Sequence, residues 1–350
     1  MRTGPNINGS TPPITTPADR LAAPAARTRT PLWFTDAPVS IGISSCLLGE
    51  EVRFDGGHKR NDFLTSTLGN FVRWVPVCPE VEVGLPTPRD SLRLERAGPQ
   101  LRMVAPRSGA DITEDMQQFS RARVAQLEQA DLCGYVFKRG SPSCGLYRVR
   151  IYEESGMPQP TGRGLYAQTV TTAWPFLPVE EEGRLSDPGL RESFVERVFA
   201  FRRLKDLFGS SWKPKDLVAF HTAHKLQLLS HSPERYRKLG RLVAEAGTSD
   251  RDELQAAYTS GFMTTLGAAA TRARHTNVLE HALGRFKKVL DGRARALLVD
   301  AIGDYRADLV PLVVPVTLIG HYVRLYEIDY LAGQTYLEPH PKELMLRNHI

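Results

Sequence analysis

Residues 39–49 read Val-Ser-Ile-Gly-Ile-Ser-Ser-Cys-Leu-Leu-Gly. The run Val39–Ser44 is short, apolar and β-branched, and it closes on small residues and a cysteine. That is the pattern of a strand buried on both faces that empties into a loop. Two other stretches repeat it: Phe71–Val77 runs into Cys78, and Leu132–Phe137 runs into a Gly/Ser/Pro loop that carries Cys144. Helical spacing lies between them. Asn61–Leu68 predicts one helix. Asp111-Ile112-Thr113-Glu114 has the spacing of a reciprocally capped helix start, and Met116, Phe119, Val124 and Leu127 carry that helix to about Ala130. Ser91–Glu95 and Gln100–Ala105 alternate about Ala97-Gly98-Pro99, as a hairpin does. Strands alternating with helices predict an α/β domain with a mainly parallel sheet over residues 37–180.

The pattern changes on either side. Residues 1–36 are rich in Pro, Thr and Ala and show no period, which predicts a disordered tail. Residues 181–189 have the composition of a linker. Beyond them the periodicity is helical throughout: Leu190–Phe208 is amphipathic, Pro214 and Ser232-Pro233 mark helix starts, and further helices run over about 250–270, 274–290, 293–309 and 314–331. Residues 190–350 therefore predict an all-α helical bundle.

The 350 residues are 41% hydrophobic, enough to build packed cores, and no apolar run is long enough to span a bilayer. Four cysteines make no disulfide framework, and the start lacks the apolar core of a secretory signal. These features predict a cytoplasmic protein with reduced thiols. The net charge of +6 is uneven: residues 37–180 hold 16 basic and 16 acidic side chains, whereas residues 181–350 hold 25 and 21. The excess in the second half predicts an anionic partner there, and a merely solvated basic face is the competing reading.

Cys46, Cys78 and Cys144 each stand just past the carboxyl end of a predicted buried strand. In an open parallel sheet those ends share one edge, where ligands bind, so residues far apart in sequence converge. Structural zinc usually takes four protein ligands, and no CxxC pair is present. A cubane cluster ordinarily takes four cysteines as well. Held by three, it keeps one iron with an exchangeable position. Three unrelated buried cysteines remain the alternative. Cys133 lies inside a strand and reads as a small buried hydrophobe.

The strings SSCLLGEEVRFDGGHKRN, CPEVEVGLPTPR, KRGSPSCG and GRGLYA resemble the TudS-type thiouracil desulfidase family over residues 38 to about 178. The resemblance implies a [4Fe-4S] cluster with three cysteine ligands, Cys46, Cys78 and Cys144, and one open iron. It also implies non-redox removal of sulfur from a thiolated pyrimidine. FHTAHKLQLLSHSPERYRKLG and ATRARHTNVLEHALGRFKK resemble a YbgA-like helical domain over residues 190–350. The fusion of the two resembles the RudS type, which implies tRNA carrying 4-thiouridine as substrate and partner. Free 2-thiouracil or thionucleosides, or a non-enzymatic iron–sulfur sensor that binds RNA, are the rivals.

Exchange of C=S for C=O needs a carboxylate to move protons. Glu80, two residues after Cys78, is the candidate, with a loop carboxylate bonded to backbone as its rival reading. Ser141 matches a family serine and equally suits a turn cap; Ser143 is a weaker candidate. Asp55, His58, Lys59 and Arg60 could hold phosphate or ribose, or bridge one another. His221 and His224 share a helix face and read as packing rather than as metal ligands. For RNA the candidates are Arg272, Arg274, Arg285, Lys287 and Lys288, followed by Arg293 and Arg295, with a second basic group about Lys225, Arg235, Arg237, Lys238 and Arg241. Such side chains contact phosphates without reading sequence.

Overall fold

In the computed structural model, which describes residues 39–153 and 155–349, β1 (Val39–Ser44) is buried along its whole length. A 3-10 turn over Ser45–Leu48 follows it, closed by Gly49 at φ +102°. The expected disordered tail of residues 1–36 lies outside the described residues. Asn61–Leu68 does not form the expected helix. It makes a π-helical turn, Phe63–Thr67, and then a 3-10 turn, Leu68–Asn70. Two threonines and the Gly69-Asn70 pair are poor helix formers, which is a physical reason for the irregular winding.

β2 (Val72–Val77) pairs in parallel with β1 over six residues. The single turn α1 (Pro79–Glu82) follows it directly. The hairpin is present as β3 (Arg93–Ala97) and β4 (Gln100–Val104). α2 (Thr113–Leu127) lacks the expected reciprocal cap. Asp111 instead accepts hydrogen bonds from the Thr113 backbone and hydroxyl at its Oδ1, and Arg102 holds its Oδ2. Then come β5 (Leu132–Phe137), β6 (Val149–Tyr152), β7 (Pro158–Gly162), α3 (Leu165–Ala173) and β8 (Val179–Glu181).

Two four-stranded sheets result. The larger runs β2-β1-β5-β8 and is parallel throughout; the smaller runs β4-β3-β6-β7. Because every strand of the larger sheet points the same way, Ser44, Val77, Phe137 and Glu181 end on one edge. The expected α/β class with a mainly parallel sheet is therefore present. β8 takes in Glu181, at the edge of the segment read as a linker, and that side chain is 2% exposed.

The second half is helical: α4 (Pro188–Phe208), α5 (Pro214–Ala223), α6 (Lys225–His231), α7 (Pro233–Ala244), α8 (Arg251–Leu266), α9 (Arg272–Leu283), α10 (Gly292–Arg306), α11 (Val313–Leu325) and α12 (Asp329–Ala332). Local signals place several starts. Asp187 accepts from the Leu190 amide and Ser232 from the Arg235 amide, each with proline at the first helical position. The stretch 314–331 is two helices rather than one, because Glu327 sits at φ +50° between them. Among the described residues no helix is long and apolar enough to cross a membrane.

The described residues belong to one compact unit. α4 lies against the larger sheet. Phe194, Val195 and Val198 share a core with Ile41, Ile43 and Val136, and Leu344 and Leu346 near the carboxyl end join it. Gly134 of β5 allows this approach, since a Cβ there would stand 2.7 Å from Val198 Cγ2.

Candidate metal centre

The edge of the parallel sheet builds the site. Cys46 rides on the 3-10 turn after β1, Cys78 starts α1 after β2, and Cys144 ends the loop after β5. All three line one cavity of ≈ 340 Å³, with Glu80, Ser141, Lys59, Arg53, Arg89 and Lys138. The loops are held by hydrogen bonds, within themselves and from one to another. Lys59 N donates to the Cys46 carbonyl at 2.8 Å, Lys138 N to Ser44 Oγ at 3.0 Å, and Cys78 N to Glu82 Oε1 at 3.0 Å. Gly164 lets α3 press on the third loop, because a Cβ there would lie 2.3 Å from the Ser143 carbonyl oxygen. Only glycine fits at such a distance.

Burial raises all three thiols: Cys46 is pushed up to about 12, Cys78 is raised, and Cys144 stands well above its ordinary value. Nearby Lys138 and Arg53 oppose that rise at Cys46. Cys133 is also raised by burial, to about 11, but it sits in the core beneath α4 and does not line the cavity.

Among the described residues no group of three or more His, Cys, Asp or Glu is gathered tightly enough for a single metal ion. A cluster makes a different demand, since it takes one thiolate at each of several iron atoms and so spreads its ligands. In donor type and charge the cavity suits such a group. The cavity offers three soft sulfur donors, and the cations Lys138 and Arg53 beside them offset the negative charge that thiolates and sulfide would bring.

Glu80 is the most elaborately held side chain of the site. Its Oε2 accepts from Arg89 Nε at 3.1 Å and Nη2 at 2.7 Å, in an ion pair with both partners largely buried. Its Oε1 accepts from Ser143 Oγ at 2.9 Å and Ser141 Oγ at 3.3 Å. Ser141 lines the cavity and also caps the loop, accepting from the Ser143 and Cys144 amides at 3.2 and 3.0 Å. Ser143 is fully buried behind Glu80. Sequence reasoning gave Arg89 no role. Its signal was one basic residue nine positions past Glu80, and only the fold turns that spacing into a contact.

Of the loop after the first cysteine, Lys59 lines the cavity. Asp55 pairs with Arg53 and accepts from the Gly57 amide, Arg60 pairs with Asp62, and His58 Nδ1 accepts from the Arg60 amide. His221 shares a hydrogen bond with the Tyr258 hydroxyl and stacks on Tyr236, while His224 receives Arg203 Nε, so both work in packing. Arg272 donates to the Tyr305 carbonyl and pairs with Asp308. Arg274 donates to the carbonyls of His231 and Ala269, and Arg285 lies over the Tyr330 ring. Lys287 and Lys288 are exposed.

Comparison with known proteins follows this division. Residues 41–182 match the 2-thiouracil desulfurase family, and residues 225–341 match a family described as a protein of unknown function (DUF1722). The chain is 34% identical over 158 residues to the uncharacterized protein YbgA of Escherichia coli K12, covering 45% of this chain and 94% of YbgA. It is 28% identical over 108 residues to the uncharacterized protein YbbK of Bacillus subtilis 168, covering 29% of this chain and 71% of YbbK. Among solved structures, the [4Fe-4S]-dependent thiouracil desulfidase TudS is similar at 32% identity, with 42% of this chain and 93% of that one covered and a TM-score of 0.35.

Proposed function

The chain belongs to the YbgA family and joins to it, over residues 41–182, a 2-thiouracil desulfurase domain, and from that premise we propose that it is a [4Fe-4S]-dependent desulfidase converting 4-thiouridine in tRNA to uridine. The observation that carries this reading is the meeting of Cys46, Cys78, Cys144 and Glu80 around one cavity. The overall change replaces the ring C=S by C=O with water as the oxygen source and releases hydrosulfide and a proton, so no oxidant or reductant is consumed.

When bound through the three cysteines, a cluster supplies one iron as a Lewis acid for the thiocarbonyl sulfur. The protein's own residues do the rest. Glu80, an ion-paired carboxylate at the wall, takes a proton from the attacking water. Arg89 and Ser143 fix its two oxygens and so aim it, Ser143 from behind the cavity wall, while Ser141 donates from the cavity side. A cavity of ≈ 340 Å³ admits a base but no stretch of duplex, so a nucleotide within RNA must leave its stack to enter.

The test is anaerobic reconstitution of the full chain with iron and sulfide, followed by sulfide release from thiolated tRNA, free 4-thiouridine and 2-thiouracil. The reading expects about four irons per chain, loss of iron in each of Cys46→Ser, Cys78→Ser and Cys144→Ser, retention in Cys133→Ser, and the highest kcat/KM on tRNA. A loaded protein that releases no sulfide from any of the three substrates overturns it.

A further inference from the structure

The cavity at the cysteines continues into larger space. Leu92, Arg139, Gly140 and Pro142 line it and also line a second hollow of ≈ 770 Å³. That hollow shares Tyr147 and Arg184 with a third, of ≈ 810 Å³, which extends to Arg197 of α4, Arg272 and His275 of α9 and Tyr305 of α10. Three adjoining hollows, each sharing wall residues with the next, thus mark a track from the thiols, across the smaller sheet, to the helices.

The smaller sheet makes the middle of this track basic by strand alternation. Leu94, Val149 and Ile151 are buried in the core beneath it. Arg93, Arg150 and Tyr152, at the alternate positions of β3 and β6, line the hollow. Arg148, just ahead of β6, joins them at φ +52°. Arg93 lies 4.7 Å over Tyr152 and Arg184 5.0 Å over Tyr147, so aromatic faces are interleaved with the cations. Arg139, Arg148 and Arg150 are exposed and make no ion pair among the described residues.

Five arginines line this hollow; Arg93 is paired with Glu95 and Arg184 with Glu180, which leaves Arg139, Arg148 and Arg150 against the one carboxylate among the described lining residues, that of Glu181. Its Oε1 is already engaged by the amides of Leu146 and Tyr147 at 2.8 and 3.0 Å. Residues 37–180 are neutral as a whole, so the surplus is local, concentrated where the cavity opens. A free thiobase has no use for two further hollows of this size. A chain of phosphates with bases between them uses cations, rings and length together.

We propose that this track is the RNA path, with the strand flanking the target base lying across Arg139, Arg148 and Arg150 and continuing towards Arg197 and Arg272. The proposal rests on RNA being the substrate and moves its main phosphate contacts from the helical half to the smaller sheet.

Cluster-loaded full chain is compared with its R148A/R150A and K287A/K288A variants, using thiolated tRNA and free 4-thiouridine. Removing two single-strand phosphate contacts lowers the slope of log affinity for tRNA against log salt by about 1.4. It also lowers kcat/KM on tRNA by about tenfold more than on 4-thiouridine, whereas K287A/K288A changes either quantity by less. An unchanged slope and an unchanged substrate ratio in R148A/R150A overturn the track while leaving RNA as substrate. A wild-type protein that releases sulfide from 4-thiouridine but neither binds nor desulfurises tRNA overturns the RNA reading itself, and the track with it.

Discussion

At the scale of single residues, the site separates ligands from the groups that aim them. Among the described residues Glu80 is the one carboxylate that lines the cavity, and its two oxygens have different keepers. Glu80→Gln preserves shape and most hydrogen bonds while removing the base, so kcat falls roughly 10²- to 10⁴-fold. The iron content stays at the wild-type level, since no cysteine is touched. Full turnover in that variant, measured as sulfide release, removes Glu80 from the mechanism. Ser143→Ala deletes one bond to Glu80 without opening the cavity wall. A loss of about 1 kcal/mol of positioning corresponds to about a fivefold lower kcat at unchanged iron content. Gly164→Ala acts in the opposite way. Its methyl group would collide with the Ser143 carbonyl, displacing the Cys144 loop, so iron retention falls before any kinetic constant is reached. Cys46, Cys78 and Glu80 were readable in sequence because each stands within two residues of a strand end or a ligand, and Cys144 because it lies in the Gly/Ser/Pro loop that follows a buried strand. Arg89 was not, since its partner is reached only through a loop fold that no local pattern encodes.

At the scale of elements, the starts of α5 and α7 were legible because first-turn prolines and caps are local chemistry, whereas the Asp187-Pro188 start of α4 lay in the segment read as a linker. β6 and β7 were missed. β7 contains two prolines in five residues and sits at a sheet edge, where its pairing is set by β6 and not by its own propensity. The helical elements also set a pH dependence. Burial lowers His221 and His340 to about 4 and His275 to about 3, and holds His224 well below its ordinary value. Below about pH 6.5 the unfolded chain protonates these four while the folded chain does not. Stability therefore falls with acid, by up to about 1.4 kcal/mol per pH unit for each histidine. His231 behaves oppositely. It is raised through its hydrogen bond and charge interaction with Glu196, so its contribution is complete below about pH 6.5 and is lost only as pH rises. Urea midpoints measured from pH 7.5 down to 5.5 should drop steadily, and His340→Leu should flatten the curve by one proton's worth. A level profile would contradict the burial of neutral histidines in these helices.

At the scale of the whole molecule, the division seen in sequence does not make two separable bodies. Composition marks residues 181–189 as a break, yet the chain there enters β8 and then α4, which lies on the strands that carry the cysteines. The carboxyl end returns to the same core. Leu344 and Leu346 are buried with Ile41 and Val136, and Arg347 donates to Glu192 Oε1 at 2.9 Å. Pairing over such a separation leaves no periodic trace, so the sequence could show two compositions but not their shared core. A chain cut after residue 178 would expose the face of β1 and β5 that α4 covers, so its inactivity would say nothing about RNA. The informative perturbation keeps the chain whole. L344A/L346A removes two buried side chains at about 2–5 kcal/mol each and touches no residue of the cavity. If the helical half supports the metal centre, this double variant lowers the urea midpoint and loses iron faster on dilution, while the fraction still loaded keeps wild-type kcat. If the two halves are energetically independent, the helical signal moves and iron retention does not, and the shared core would then carry no coupling to the thiolate edge.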